Sequence, residues 1–296
     1  MHLRLCSIIL GLATSIAHAQ PIPDFTIFDG NSEFTLGGLM GQRLTANGGT
    51  GGVQVPTPPS AIDHLFQNWF WYRSASDSRE YALSNMVTST GSTSNQITLI
   101  YSEPVNNGAT AGALFISVRY TINDLPPVQG KRHAQVRMEL TCTNVSNSNL
   151  IVHIYNYNDM DLNGGSGGDS SAVGGTNSRY VQSIFDSAIA PRVQASYVGS
   201  SANFLGFNMF AFPALRDILT DNAANQLTNS PLTFGPGDYT GAMEWSNNLQ
   251  ANGGQMQVTV TLDILVAKCP ADLNSDAAVG PADLAQLLAT WGICPP

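Results

Sequence analysis

Val258-Thr259-Val260-Thr261-Leu262-Asp263-Ile264 alternates apolar and polar side chains without a break. Period-two alternation puts one set of side chains on each face of an extended chain, so this run predicts a half-buried strand. Similar segments span His64–Arg73, Gln96–Ser102, Ala113–Ile122, His133–Val145, Leu150–Asn158, Ser178–Phe185, Arg192–Val198, Tyr239–Ser246 and Gln255–Ala267. Each is rich in β-branched or aromatic residues and bounded by Gly, Asn, Pro or Ser. His133–Val145 and Leu150–Asn158 read as a hairpin turned through Ser146-Asn147-Ser148-Asn149. A single short helix is expected near Ala214–Asn222, entered through Pro213. Gly37–Gly52 and Asn163–Gly175 read as Gly-rich loops. Strands do not alternate regularly with helices. The expected fold is therefore mainly β, an antiparallel β-sandwich or jelly-roll, with a small EF-hand-like loop-helix module at the C-terminus.

Met1-His2-Leu3-Arg4, the apolar run Leu5–Ile16 and Ala17-His18-Ala19 have the pattern of a secretory signal peptide, residues 1–19. That run is too short to span a bilayer, and no transmembrane segment is expected. The protein is thus expected to be secreted, extracellular or at the cell surface. Residues 20–268 then form the β-sandwich domain and residues 269–296 a tail. Charged residues make up 11% of the chain and the net charge is −9. That balance excludes the basic footprint of a nucleic-acid binder.

The tail carries the clearest spacing. Counting from Asp272, the residues at loop positions 1, 3, 5, 7 and 12 are Asp272, Asn274, Asp276, Ala278 and Asp283. Side-chain oxygens at four of these and the Ala278 carbonyl match what a hard cation such as Ca2+ takes from one tight loop. Ala277 stands where the turn favours Gly, and Asp283 reaches less far than Glu. Weak Ca2+ affinity follows, on the order of 10⁻⁴ to 10⁻³ M. Cys269 and Cys294 bracket this unit, and pairing them leaves Cys142 a buried thiol. A competing pairing joins Cys142 to one tail cysteine. Leu284, Leu287, Leu288 and Trp291 form an apolar helical stripe that either covers the β domain or meets a partner.

The Asp-x-Asn-x-Asp loop, the following helix, the ending Trp291-Gly292-Ile293-Cys294-Pro295 and the two cysteines resemble a type I dockerin repeat, in its single-loop, cysteine-bracketed variant. The resemblance covers about 28 of 296 residues. It implies a tether to a cohesin-like or other surface-anchoring protein, with the metal on Asp272, Asn274, Asp276 and Asp283.

In the large domain, Asp159, Asp161 and Asn163 sit at alternate positions before a glycine and form a candidate second metal loop. Gly164-Gly165-Ser166-Gly167-Gly168 matches a nucleophile elbow in letters but lacks the flanking apolar strand and helix. Trp69 and Trp71 are candidate ligand aromatics if exposed, and core if buried. Glu103, Glu139 and Glu244 offer no pair that singles out a glycosidase, and His64, His133 and His153 lack zinc spacing. No catalytic residue is assigned. The leading expectation is a noncatalytic, polysaccharide-associated β-sandwich tethered by its tail. The alternatives are a glycoside hydrolase carrying the same tail and a structural surface protein with no small ligand.

Overall fold

The structure is a computed structural model that describes residues 25–30, 32–36, 51–54, 64–83, 86–101, 104, 107–129, 131–176, 179–186, 193–267 and 280–290. Its strands are numbered along the chain and every strand pairing is antiparallel. A nine-stranded sheet runs in the order β15 (Thr233–Gly237), β11 (Asp169–Thr176), β12 (Arg179–Asp186), β13 (Val193–Ser200), β17 (Gln255–Ala267), β9 (Lys131–Asn144), β8 (Leu114–Val128), β7 (Gln96–Tyr101), β6 (Met86–Thr90). A five-stranded sheet runs β14 (Phe204–Ala211), β16 (Tyr239–Leu249), β10 (Leu150–Met160), β4 (Leu65–Ser74), β5 (Tyr81–Ala82). A smaller sheet of β1 (Phe25–Asp29), β2 (Ser32–Leu36) and β3 (Gly51–Gln54) adds Ile27, Phe34 and Leu36 to the main core. Helices among the described residues include α1 (Ala214–Thr220) and α2 (Pro281–Thr290).

The alternation in β17 has the expected cause. Met256, Val258, Val260, Leu262 and Ile264 are buried, as are Ala134, Val136, Met138, Leu140 and Cys142 of β9 beside them. They pack on Phe70, Tyr72, Val152, Ile154, Met243 and Trp245 from the five-stranded sheet. Each such side chain contributes roughly 1.5–3 kcal/mol through burial. Strand β4 does not alternate because both of its faces are covered. Phe70 and Tyr72 enter the core between the sheets, while Trp69 and Trp71 pack with Tyr155, Tyr157, Leu215 and Leu219 on the other side.

Two expectations are corrected. His133–Val145 and Leu150–Asn158 are not a hairpin: β9 pairs with β8 and β17, whereas β10 pairs with β4 and β16. The link crosses between sheets. Asn144 organises it, donating to the Ser148 carbonyl at 2.7 Å and the Leu249 carbonyl at 3.2 Å while accepting from the Ser146 N–H at 3.0 Å. The Asn163–Gly175 loop is also partly strand, because β11 is held between β12 and β15 despite Gly174 and Gly175. Long-range pairing outweighs the weak intrinsic preference of glycine. Helix α1 lies where it was expected.

Among the described residues no helix is long and apolar enough to cross a membrane. Residues 1–19, Cys269, Asp272, Asn274, Asp276, Ala278, Trp291 and Cys294 lie outside the described residues.

Cys142 is a free, buried thiol, and burial pushes it up to about 12. Iodoacetamide at pH 8 should leave residue 142 unmodified in the native chain and alkylate it in guanidinium, as read by peptide mass mapping. Gly199 is tight: a Cβ there would lie 2.5 Å from Met243 Sδ and 2.7 Å from Trp245 Cζ2, whereas one on Gly174 would meet nothing within 4 Å. Gly199→Ala should lower stability by roughly 1–3 kcal/mol in urea unfolding, and Gly174→Ala should stay within about 0.5 kcal/mol of the parent.

Candidate functional site

Three places in the fold concentrate chemistry. The first is the outer face of the five-stranded sheet, and it corrects the reading of Trp69 and Trp71 as ligand aromatics. Each is 1% exposed. Their rings meet edge to face at 5.1 Å, and Trp71 meets Tyr157 at 5.9 Å. A cover formed by α1 and the segment after it lays Leu215, Leu219 and Leu227 over them, so the two indoles are core.

A polar network fastens this cover. The Arg73 guanidinium donates to Glu80 Oε1 at 3.1 Å, to the Tyr155 hydroxyl at 3.0 Å and to the Asn225 carbonyl at 3.2 Å. Glu80 Oε1 accepts the Asn225 N–H at 2.7 Å. Glu244 bridges His153 Nδ1 and the Leu227 N–H, both at 2.8 Å. Burial holds the Glu80 carboxyl above its ordinary range, outweighing the Asn225 bonds and the charge of Arg73. The Tyr155 hydroxyl is pushed up by burial and by the charge of Glu244. Both glutamates are fully buried and committed to partners, so this network positions the cover.

The second place is an acidic end, where β10 leaves its sheet and β15 turns into β16. Asp159, Asp161 and Asp238 each present a carboxylate oxygen within 4.8 Å of the others. Asp159 accepts from the Tyr157 hydroxyl at 3.1 Å. Burial, then the charges of Asp161 and Asp238, push its carboxyl up to about 8. Burial also raises Asp238. The sequence pairing of Asp159 with Asp161 thus holds in space. The third carboxylate, Asp238, was missed because 77 residues separate it from Asp161 and only strand pairing brings it near. The Asn163 side chain lies outside the described residues. The Gly164–Gly168 stretch lies between a 3₁₀ turn (Leu162–Gly164) and β11, not at a strand-to-helix elbow.

The third place is the outer face of the nine-stranded sheet. A groove of about 360 Å³ crosses β7, β8, β9 and β17, with Thr98, Ser117, Arg119, Glu139, Thr141, Gln257 and Thr259 in its lining. Arg119 lies directly opposite Glu139 in register and donates to it at 2.8 Å, and Arg137 donates at 2.9 Å from two residues away. Burial pushes the Glu139 carboxyl up, but the hydrogen bonds from Arg119 and Arg137 prevail and hold it below its ordinary range. Further along the face, Asp263 joins His133 Nε2 at 2.8 Å, Gln135 at 2.9 Å and the Ser196 hydroxyl at 3.4 Å. Of the three glutamates considered from sequence, Glu139 faces this groove, Glu244 is buried under the cover and Glu103 lies outside the described residues.

In the tail, the Gly280 N–H donates to the Asp283 carboxylate at 2.8 Å, and Asp283 is buried. Leu284, Leu287 and Leu288 of α2 are exposed, at 55%, 41% and 60%.

No protein-family model matches the chain, and no curated protein matches it in sequence. Solved structures do match in shape. A bacterial glucoamylase complexed with acarbose superposes with a TM-score of 0.51 at 14% identity, covering 92% of this chain and 35% of that one. The chain therefore spans about a third of the glucoamylase's length. A galactose mutarotase-related enzyme from Lactobacillus acidophilus gives a TM-score of 0.36 at 10% identity, covering 81% of this chain and 96% of that one. The first likeness shows the fold, an antiparallel β-sandwich, and the second is too loose to add to it.

Glu80→Ala leaves the Arg73 charge buried without its partner and should cost roughly 3–5 kcal/mol in urea unfolding. Glu80→Gln keeps the shape and an acceptor for Arg73 and Asn225 but also removes the counter-charge, so it should cost less than Glu80→Ala, roughly 1.5–3 kcal/mol.

Proposed function

We propose that this chain is a noncatalytic carbohydrate-binding β-sandwich whose binding face is the outer surface of the nine-stranded sheet, exported and held at the cell surface by its dockerin-like tail. The observation that carries the reading is the groove around Arg119 and Glu139. Sugars present closely spaced hydroxyls that both donate and accept, and planar guanidinium, carboxylate and amide groups meet them two bonds at a time. Arg119, Glu139 and Gln257 supply such groups in the groove, with threonine and serine hydroxyls between them, and Arg137 holds Glu139 from two residues along β9. The two arginines are tied to Glu139 before any ligand arrives, so little ordering is needed on binding. The groove's volume falls within the roughly 300–1,000 Å³ of ligand sites.

Glycoside hydrolysis takes one carboxyl that gives up a proton and a second carboxylate about 5–10 Å away. Glu139, kept ionised by two arginines, is suited to gripping a ligand and poorly suited to protonating one. The shape likeness to part of a glucoamylase crystallised with acarbose is in keeping with a carbohydrate-associated frame. Residues 1–19 support export. Asp272, Asn274, Asp276, the Ala278 carbonyl and Asp283 support a Ca2+-ordered tail, with Cys269 and Cys294 closing it and a cohesin-like or other surface-anchoring protein as partner.

A glycan array probed with residues 20–296 should show binding to a polysaccharide class. Arg119→Ala should weaken that binding about tenfold or more while leaving the unfolding midpoint unchanged, and tenfold corresponds to about 1.4 kcal/mol. A blank array with folded protein, or full binding by Arg119→Ala, defeats the assignment of this face.

A further inference from the structure

A second groove, of about 240 Å³, crosses β12, β13 and β17. Strand register puts it on the same face of the nine-stranded sheet as the groove around Arg119. Phe185 stands opposite Gln194 and Gln194 opposite Leu265, while Ser183, Ser196 and Asp263 form the next row. Directly opposite residues point to one side of a sheet. Along β17, Thr259 lines the first groove and Asp263 the second. The rise of a strand sets them about 13 Å apart. Thr261 lies between them with Arg137 opposite it, and Gln135 stands opposite Asp263. A strip of polar side chains therefore joins the two grooves.

The second groove adds something the first lacks, an apolar wall inside a polar rim. Phe185 is 38% exposed, and Leu265 beside Gln194 is half-buried. The rim is held in place before any ligand arrives. Asp263 is joined to His133 at 2.8 Å and to Gln135 at 2.9 Å, and Lys131 Nζ donates to Gln194 Oε1 at 2.6 Å. A sugar ring has an apolar C–H side and a border of hydroxyls. The negative face of an aromatic ring suits the first, and carboxylate, amide and hydroxyl groups suit the second. The groove's volume lies below the roughly 300–1,000 Å³ of a self-sufficient ligand site, so it fits one part of a longer molecule.

We propose that the groove around Phe185 is a second sugar subsite, and that it and the Arg119 groove hold one polysaccharide chain at two points along its length. The inference rests on the carbohydrate reading of this face and narrows the ligand to an extended polymer, held by its side rather than by its end. Two attachments on one chain make the second contact intramolecular, which raises affinity by about 10²–10⁴-fold over either groove alone.

The test runs residues 20–296 in affinity gels cast with soluble starch, xylan, β-1,3-glucan or hydroxyethyl cellulose. Calorimetry follows with oligosaccharides of the retained polymer, from disaccharide to octasaccharide. Affinity should rise about tenfold or more with length as the chain comes to reach both grooves. Phe185→Ala should remove that rise and weaken retention by the polymer, while the disaccharide affinity of the Arg119 groove and the unfolding midpoint stay unchanged. Phe185→Tyr keeps a ring face and should behave as the parent does. If Phe185→Ala lowers the unfolding midpoint, Ser183→Lys takes its place, obstructing the groove from an exposed position with the same expected loss. The second subsite is overturned, with the Arg119 groove left standing, if affinity does not rise with length, if the variant keeps full polymer binding, or if it loses disaccharide and polymer binding equally. A parent that none of the four gels retains overturns the carbohydrate reading and this inference with it.

Discussion

The five-stranded sheet is buried on both faces, and the other surfaces of the molecule follow from that constraint. One face meets the nine-stranded sheet through Trp245, Met243, Tyr72 and Ile154. The other lies under the cover of α1 and the chain through Leu227, held by Arg73, Glu80, Tyr155 and Asn225. A second covering layer leaves no broad open face on that side. The nine-stranded sheet carries apolar residues inward and Thr, Gln, Arg, Glu and Asp outward. Among the described residues its outer surface is polar around the groove of β7, β8, β9 and β17.

That division explains what the chain made readable. Strands covered once, such as β17, β9 and β13, alternate cleanly, and their bounds were legible to within a few residues. Strand β4 was legible as a strand from its aromatic run, but the fate of Trp69 and Trp71 depended on a cover about 150 residues away in sequence. The shift of β10 into the other sheet was illegible because a hairpin and a crossing between layers use the same Asn- and Ser-rich link. What separates them is the set of hydrogen bonds made by Asn144 to residues near 249.

The functional groups divide in the same way. Asp159 and Asp161 could be paired from local spacing alone. Asp238 joins them only because β10 pairs with β16 beside it, which no local pattern encodes. Arg119 and Glu139 face one another because β8 and β9 share a register from Leu114 to Leu125, which shifts before Val128 meets Lys131. Buried carboxylates at one end of the sandwich and an arginine-clamped carboxylate on its open face are then opposite solutions to one electrostatic problem. In the former, burial of Asp159 outweighs the one cation that acts on it, Arg216, and the latter has two cations in reach.

The position of β17 in the nine-stranded sheet has a consequence for how the molecule is made. This strand joins β13 to β9, yet it is the last strand among the described residues. Until residue 267 is available, the two halves of the large sheet have unjoined edges and their apolar faces lack a continuous platform. Completion of the large sheet therefore waits for the whole of β17, and pairings of such long range in sequence form slowly.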